Sequence, residues 1–126
     1  MNDLAARSRK GATAFHSGVA AEESVARFYS RNGYRLIAKR WRGRGGEIDL
    51  VFGLGDLRVF VEVKKSSSFS SAALRVTQKQ TRRIFAAAEE FLGTEPAGLL
   101  TDTRFDVALV DTAGEIEVLE NALVVE

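Results

Sequence analysis

Three charged residues lie inside two apolar runs of this 126-residue chain, where a buried strand is expected to carry none. Asp49 interrupts the run before a turn at residues 53–56, and Glu62 and Lys64 interrupt the run that follows it. Moving a charged group out of water is very unfavourable unless the group is paired or binds a metal. The pattern therefore predicts a β-hairpin over residues 47–64 that carries a functional site.

The chemistry expected at this hairpin is metal-dependent hydrolysis of a phosphodiester. Neighbouring strands lie about 4.8 Å apart, so Asp49 and Glu62 can share one divalent cation. Mg²⁺, or Mn²⁺ in its place, prefers oxygen ligands, and the backbone carbonyl of Val63 is a candidate third ligand. Lys64 can neutralise the carboxylate pair, orient water or stabilise charge on the phosphate. The alternative is a solvated ion pair without chemistry.

A third carboxylate is expected from the first helix, which the pattern places over residues 17–32. Ser17 is the predicted N-cap, and Gly33 is the predicted left-handed residue that ends the helix. Glu22 falls on the apolar stripe, three residues before Val25, and is expected to point inward. We predict that it ligates metal, through water or at a second ion. The alternative is an ion pair between Glu22 and an arginine.

Basic residues flank the predicted site, although the net charge of the chain is only +1. One group precedes the hairpin, and the other opens the second helix, where cations oppose the helix dipole. A local basic surface beside carboxylates suits a phosphate-rich ligand. The residues predicted on this basis to bind nucleic acid are Arg40, Arg42, Arg44, Lys79 and Arg82. The alternative is an ordinary solvated surface.

Composition restricts the class of protein. Hydrophobic residues make up 45% of the chain and charged residues 28%, which predicts one globular domain over residues 1–126, with 1–16 as an arm. The chain has no cysteine and one histidine, so a zinc site is not expected. We expect no membrane-spanning segment, no secretory signal and a cytoplasmic location.

Hydrophobic periodicity predicts the element order αβββαββ, an α/β or α+β fold with a mixed sheet. The strands are placed at residues 34–41, 47–52, 57–64, 104–110 and 116–119. The second helix runs from a capping box formed by Thr77 and Gln80 to about residue 92. A Ser-rich loop fills residues 65–74. Period-two alternation places Leu36 with Ala38, and Ile48 with Leu50 and Phe52.

The order of the charged residues resembles a known nuclease signature. Asp49, a twelve-residue gap and Glu62-Val63-Lys64 match the D…ExK part of the PD-(D/E)XK pattern, with Ile48 where proline is usual. The surrounding segments GxxxEE, GYRLIAKRWRGRGGEIDLV, VFVEVK, RFDVALV and EN-A resemble the YraN family of small bacterial proteins across nearly the whole chain.

This resemblance implies a restriction-endonuclease-like fold related to archaeal Holliday-junction resolvases, with a central sheet flanked by helices. By position, Glu22, Asp49, Glu62 and Lys64 match the acidic helix residue and the D…ExK set, and Gln78 and Lys79 match a polar pair near the site. It also implies a homodimer. Lys65-Ser66 follow the motif where relatives carry a small polar residue and then arginine, so a substrate contact differs here.

The expected function is that of a Mg²⁺- or Mn²⁺-dependent endonuclease acting on DNA, including branched or damaged DNA. One alternative is a nucleic-acid-binding module with a nuclease-like fold and little or no catalysis, which would need the basic stretch but not Glu62. Another is a protein-interaction scaffold, which would show no salt-dependent affinity for DNA.

Overall fold

The computed structural model describes residues 13–65 and 76–125. Its elements, in chain order, are α1 (Thr13–Arg31), β1 (Arg35–Arg42), β2 (Glu47–Leu54), β3 (Leu57–Lys65), α2 (Gln78–Leu92), a 3-10 turn (Gly98–Leu100), β4 (Thr103–Val110) and β5 (Ile116–Leu119). The predicted αβββαββ order is confirmed. Residues 1–12 of the predicted arm and residues 66–75 of the predicted loop region lie outside the described residues.

The sheet is mixed and its strands follow chain order, β1-β2-β3-β4-β5. Every neighbouring pair is antiparallel except β3 and β4, which are parallel. A parallel connection needs a crossover, and α2 lies within it. The predicted mixed sheet flanked by helices is therefore confirmed. Neither of the described α-helices is long and apolar enough to cross a lipid bilayer.

Each face of the sheet is covered by one helix, which buries the middle of β3, residues 59–62. On one face α2 packs Ile84 and Phe91 against Phe60. On the other, α1 packs Val25 and Tyr29 against the face that includes Val61. This two-sided burial explains why the middle of β3 is apolar on both faces.

A buried carboxylate on the α1 side of the sheet is fully satisfied. Asp106 has no exposed surface, yet it accepts hydrogen bonds from Tyr29 Oη at 2.7 Å, from Arg104 Nε and Nη2 at 2.9 Å, and from the backbone N–H of Asn121 at 2.9 Å. Burial, with Asp106 nearby, raises the pKa of Tyr29 above its ordinary value. Such pairing lets an acid sit in a core as a structural group.

The predicted first residue of the first helix and its predicted N-cap are both wrong. Helix α1 begins at Thr13, so Ser17 lies inside the helix and is not its N-cap. Residues 13–16 contain neither proline nor glycine, so nothing in them stops the helix from starting earlier. The other end is as predicted, because Gly33 adopts a left-handed φ of 91°.

The alternation of side chains predicted for β1 is also wrong. A bulge between Leu36 and Ala38 shifts the register, and Ile37 and Ala38 both contact the core on the α2 side. A bulge adds one residue to one strand and so breaks the period of two.

A second irregularity lies at Arg40, whose φ of 48° is left-handed. Beyond it Trp41 packs on the α2 side, and its ladder partner Ile48 packs there too. The prediction that Ile48 shares a face with Leu50 and Phe52 is therefore wrong, since those two residues pack on the α1 side. The distortion lies immediately beside Asp49.

The basic turn between β1 and β2 is held against α2. Glu90 Oε1 and Oε2 accept the backbone N–H groups of Arg44 at 3.0 Å and Gly45 at 2.9 Å. A Cβ added to Gly46 would lie only 2.3 Å from the backbone oxygen of Arg83. Glycine is therefore required where this turn meets the helix.

We expect Gly46→Ala to lower the free energy of unfolding by about 1–3 kcal/mol, because backbone blocks the added methyl group. Gly18→Ala in α1 is the control, since its Cβ would meet nothing within 4 Å. That change should raise the free energy of unfolding by about 0.5–1 kcal/mol. Urea denaturation measures both variants, and unchanged stability of Gly46→Ala would contradict the packing described.

Candidate functional site

The site begins where β2 and β3 stop pairing through their backbones. Their ladder runs from Leu54–Leu57 to Leu50–Val61 and is not continued beyond that pair. The side chain of Asp49 takes over at this point, and its Oδ2 accepts the backbone N–H of Val63 at 2.8 Å. Because the Asp49 side chain replaces a backbone partner of Val63, its carboxylate is held between the separating strands.

Glu62 faces Asp49 across this opening. Both carboxyl groups are largely buried, and a side-chain hydrogen bond joins them. Desolvation, the charge of Asp49 and this hydrogen bond raise the pKa of Glu62 to about 8, although the Lys64 ammonium opposes the shift. Desolvation also raises the pKa of Asp49, against the Val63 hydrogen bond. This contact brings the two carboxyl groups together, and their predicted role as metal ligands stays a prediction.

Gln80 connects the acidic and basic members of the site. Its Nε2 donates to Glu62 Oε2 at 2.6 Å, and its Oε1 accepts from Lys64 Nζ at 3.2 Å. Lys64 Nζ also lies 3.3 Å from Glu62 Oε2. The three side chains form a closed triangle that fixes the ammonium group beside the carboxylate pair.

These groups line one wall of a cleft of about 410 Å³, and the first turns of α2 form the other. Lys79 and Arg83 stand on that helical wall, four residues apart and hence on one face. Glu47 joins Asp49 and Glu62 on the sheet side. The cleft therefore sets carboxylates opposite cations, an arrangement suited to an anion bound together with a metal.

Glu22 approaches the pair but is not joined to it. Its Oε1 accepts from Arg40 Nε at 2.9 Å, which is the ion pair named as the alternative for this residue. Burial raises the pKa of Glu22 while the bond from Arg40 lowers it, and the charge of Asp49 raises it further. Glu22 and Asp49 are thus electrostatic neighbours, and metal ligation by Glu22 stays a prediction.

The carbonyl of Val63 is placed suitably for its predicted role. The N–H and C=O of a strand residue point to the same side, and the N–H of Val63 points to Asp49. The carbonyl therefore faces the side of β3 from which the β2 ladder has withdrawn.

The donor set fits a hard divalent cation. Two adjacent carboxylates repel each other when both are ionised, and a proton held by one of them removes this repulsion. A divalent cation bound between them would remove it in the same way and would displace the proton. Within residues 13–65 and 76–125, no group of three or more His, Cys, Asp or Glu side chains is arranged to hold a metal. An ion here would rely on the Asp49–Glu62 pair and on water or phosphate oxygens, as is usual for Mg²⁺.

The remaining residues predicted to bind nucleic acid lie outside the cleft. Arg42 pairs with Glu47 at 3.2 Å, and the exposed Arg44 is held through its backbone by Glu90. Gln78 donates to the carbonyl of Val124 at 3.0 Å, and Arg82 is exposed. Their role in binding stays a prediction.

Two residues of the cleft were missed from the sequence. Gln80 was predicted only as a capping partner, and its backbone N–H does donate to Thr77 Oγ1 at 3.1 Å. Its side chain instead reaches Glu62 and Lys64. Arg83 was passed over in favour of Arg82, although the i, i+4 spacing from Lys79 would have selected Arg83.

The buried pair predicts a pH dependence of stability. Folded Glu62 keeps its proton up to about pH 8, whereas the unfolded chain loses it near the ordinary value of about 4.3. Unfolding therefore releases a proton between these values, so the free energy of unfolding should fall as pH rises from 5 to 8.

Urea denaturation at pH 5 and pH 8, with chelator present, measures this fall. Glu62→Gln should flatten it, because the amide does not titrate, and the exposed Glu117→Gln is the matched control. An equal fall in wild type and Glu62→Gln would contradict the assignment.

Comparison with known proteins identifies relatives over most of the chain. A UPF0102 protein of Roseobacter denitrificans is 60% identical over 118 residues, covering 94% of this chain and 92% of the relative. One from Ruegeria pomeroyi is 53% identical over 122 residues, 97% of each chain, and one from Cereibacter sphaeroides is 53% identical over 112 residues, 89% of this chain and 96% of the relative. The model described as "Uncharacterised protein family UPF0102" matches residues 21–110. The chain therefore belongs to the UPF0102 family, which agrees with its resemblance to YraN proteins.

Proposed function

We propose that this protein is a divalent-metal-dependent endonuclease of the PD-(D/E)XK type that hydrolyses phosphodiester bonds in DNA. The observation that carries the proposal is the placement of the Asp49 and Glu62 carboxyl groups side by side, next to Lys64, at the end of a broken ladder. Each of these acids has another carboxyl group as a neighbour, whereas the neighbours of Asp106 are hydrogen-bond donors that occupy both of its oxygens. Strongly perturbed acids in a cleft are typical of functional sites.

Three groups would hold the cation, Mg²⁺ or Mn²⁺. They are the carboxylates of Asp49 and Glu62 and the backbone carbonyl of Val63. The bound ion would lower the pKa of a coordinated water and polarise the phosphate. Glu22 is a further ligand in this proposal, and for that role its ion pair with Arg40 must open.

Lys64 acts beside the carboxylate pair. Glu62 and Gln80 hold its ammonium group, which donates hydrogen bonds to the attacking water or to a phosphate oxygen. The water oxygen bonds to phosphorus while the P–O bond to the leaving sugar oxygen breaks, and the proton lost by the water passes through solvent to that leaving oxygen. Negative charge develops on the phosphate in this step, and a fixed cation stabilises it without reorganisation. Gln80 positions Lys64 and does not itself contact the phosphate.

The helical wall of the cleft holds the substrate. Lys79 and Arg83 face the carboxylates from the first two turns of α2 and bind the phosphates that flank the scissile bond. Arg42, Arg44, Gln78 and Arg82 extend this contact outside the cleft. The resemblance to resolvases makes branched DNA the first substrate to test, and it carries the expectation of a homodimer. The expectation of a cytoplasmic location comes from the cysteine-free sequence.

Cleavage of duplex, single-stranded and four-way-junction DNA with Mg²⁺ or Mn²⁺ tests the proposal. Asp49→Asn, Glu62→Gln and Lys64→Met should each lower the rate at least about 100-fold, because each removes charge at the reacting phosphate. Gln80→Met should lower it about 10–100-fold, as expected for a group that orients a ligand.

Two matched variants control for folding and for contaminating nucleases. Lys65→Met removes a lysine that alternates to the opposite side of β3, and Glu117→Gln removes an exposed carboxylate on β5. Both should keep the wild-type rate. Cleavage at the wild-type rate by Asp49→Asn or Lys64→Met would contradict the proposal.

Metal binding can be measured without cleavage. At pH 8, Mg²⁺ or Mn²⁺ at 100 times its dissociation constant should stabilise the folded protein by about 2.7 kcal/mol, which appears as a higher melting temperature. Asp49→Asn should lose this shift, and Glu117→Gln should keep it. A shift of equal size in Asp49→Asn would place the ion elsewhere.

A second candidate is a nucleic-acid-binding module with little or no catalysis. The observation that favours it is the Arg40–Glu22 ion pair, which ties up the third predicted carboxylate. Titration of labelled DNA in excess chelator separates the two candidates. Chelator-independent binding that Glu62→Gln preserves, together with no cleavage under any metal, would establish the module.

A further inference from the structure

A second basic concavity lies on the face of the sheet opposite the cleft. It is an open groove of about 580 Å³ between α1 and β1, which we call the α1–β1 groove. Arg27 and Arg31 of α1 and Lys39 of β1 line it, and Glu23 is its one acidic residue. The proposed nuclease chemistry uses none of these side chains.

Among residues 13–65 and 76–125, the cations that line the groove have no ionic partner. Arg27 donates to Ser24 Oγ at 3.2 Å, which is a neutral hydroxyl. Within the described residues, no ion pair is formed by Arg27, Arg31 or Lys39. Other arginines on the same sheet are paired, as Arg58 is with Glu95 and Arg104 with Asp106. The groove therefore presents positive charge to an external anion.

The left-handed backbone of Arg40 helps create this concentration of charge. It leaves Lys39 and Arg40 both on the α1 side of the sheet, where strict alternation would have sent them to opposite sides. A non-glycine residue in this region is strained and persists only where its surroundings require it. As a result, Lys39 lies in the same groove as Arg27 and Arg31 of α1.

The spacing of the cations suits a repeating anion. Arg27 and Arg31 are one turn apart, about 6 Å along the helix axis. Arg31 lies nine residues beyond Glu22, about 14 Å along α1, which is the length of about four base pairs. The groove thus offers cations at a spacing that several phosphates can use, and Lys39 in its lining is the chain neighbour of Arg40, which pairs with Glu22.

We propose that the α1–β1 groove binds the phosphate backbone of a second nucleic-acid segment, separate from the one in the cleft. The inference rests on the nucleic-acid substrate of the proposed function and adds a second arm to it. Groove and cleft lie on opposite faces of one sheet, so a straight duplex cannot follow both. A branched or sharply bent nucleic acid reaches both across the open end of β2 and β3.

The test compares a four-way DNA junction with a linear duplex of about 10 base pairs, one helical turn, in chelator. Wild type should bind the junction more tightly. Arg27→Ala/Arg31→Ala/Lys39→Ala should lower junction affinity at least about 10-fold and flatten the plot of log affinity against log salt by about 0.9 for each lost phosphate contact. Fluorescence anisotropy measures both quantities.

A matched variant separates the groove from net charge. Leu100→Glu/Thr112→Glu/Ala113→Glu changes the charge by the same three units at exposed positions away from the groove. It should keep the junction affinity to within a factor of about 3, because distant exposed charges are screened. Because binding is measured in chelator and without cleavage, this result can be interpreted even if the nuclease proposal fails.

Three outcomes overturn the proposal. The groove variant binds the junction with wild-type affinity and salt slope; the matched variant loses as much affinity as the groove variant; or wild type binds phosphatidylserine vesicles or polyglutamate through the groove while its DNA affinity is unaffected by the groove substitutions. The last outcome would assign the groove to a lipid surface or an acidic peptide.

Discussion

The site depends on one hydrogen bond, from the backbone N–H of Val63 to the carboxylate of Asp49. Beyond Leu50–Val61 the strands β2 and β3 separate, and an unpaired N–H in the interior would be unfavourable. The Asp49 side chain satisfies it and is thereby held buried beside Glu62. Because a side chain takes the place of backbone pairing here, the end of the sheet is open. Asp49 is therefore both the hydrogen-bond partner of Val63 and a candidate metal ligand.

The buried acids Asp106 and Glu62 show how surroundings separate a structural carboxylate from a candidate functional one. Asp106 is surrounded by donors that balance its charge, and its neighbours on α1 and β4 make it part of the core. Glu62 instead faces another acid, and its environment raises its pKa because desolvation and Asp49 outweigh Lys64. The fold bears an unfavourable electrostatic arrangement at this one place, which a divalent cation would relieve.

The surroundings of the pair are held firmly from two directions. Glu90 and the close approach of Gly46 fix the turn between β1 and β2 against α2, the helix that carries Gln80. On the other face, the strained Arg40 joins β1 to α1 through Glu22. A site assembled from a strand pair and both helices is therefore organised before a ligand arrives.

The sequence alone determined the element order, the mixed sheet and the charged residues of the hairpin, because periodicity and misplaced charges are local signals. It did not determine which face Ile48 takes, since a bulge and one left-handed residue reset the alternation. It also left Glu22 open between metal and arginine, and only the tertiary structure set Arg40 against it. Gln80 escaped notice because its function arises from contacts 16 and 18 residues away. Such contacts are created by the way α2 packs on the sheet, and no short window of sequence contains them.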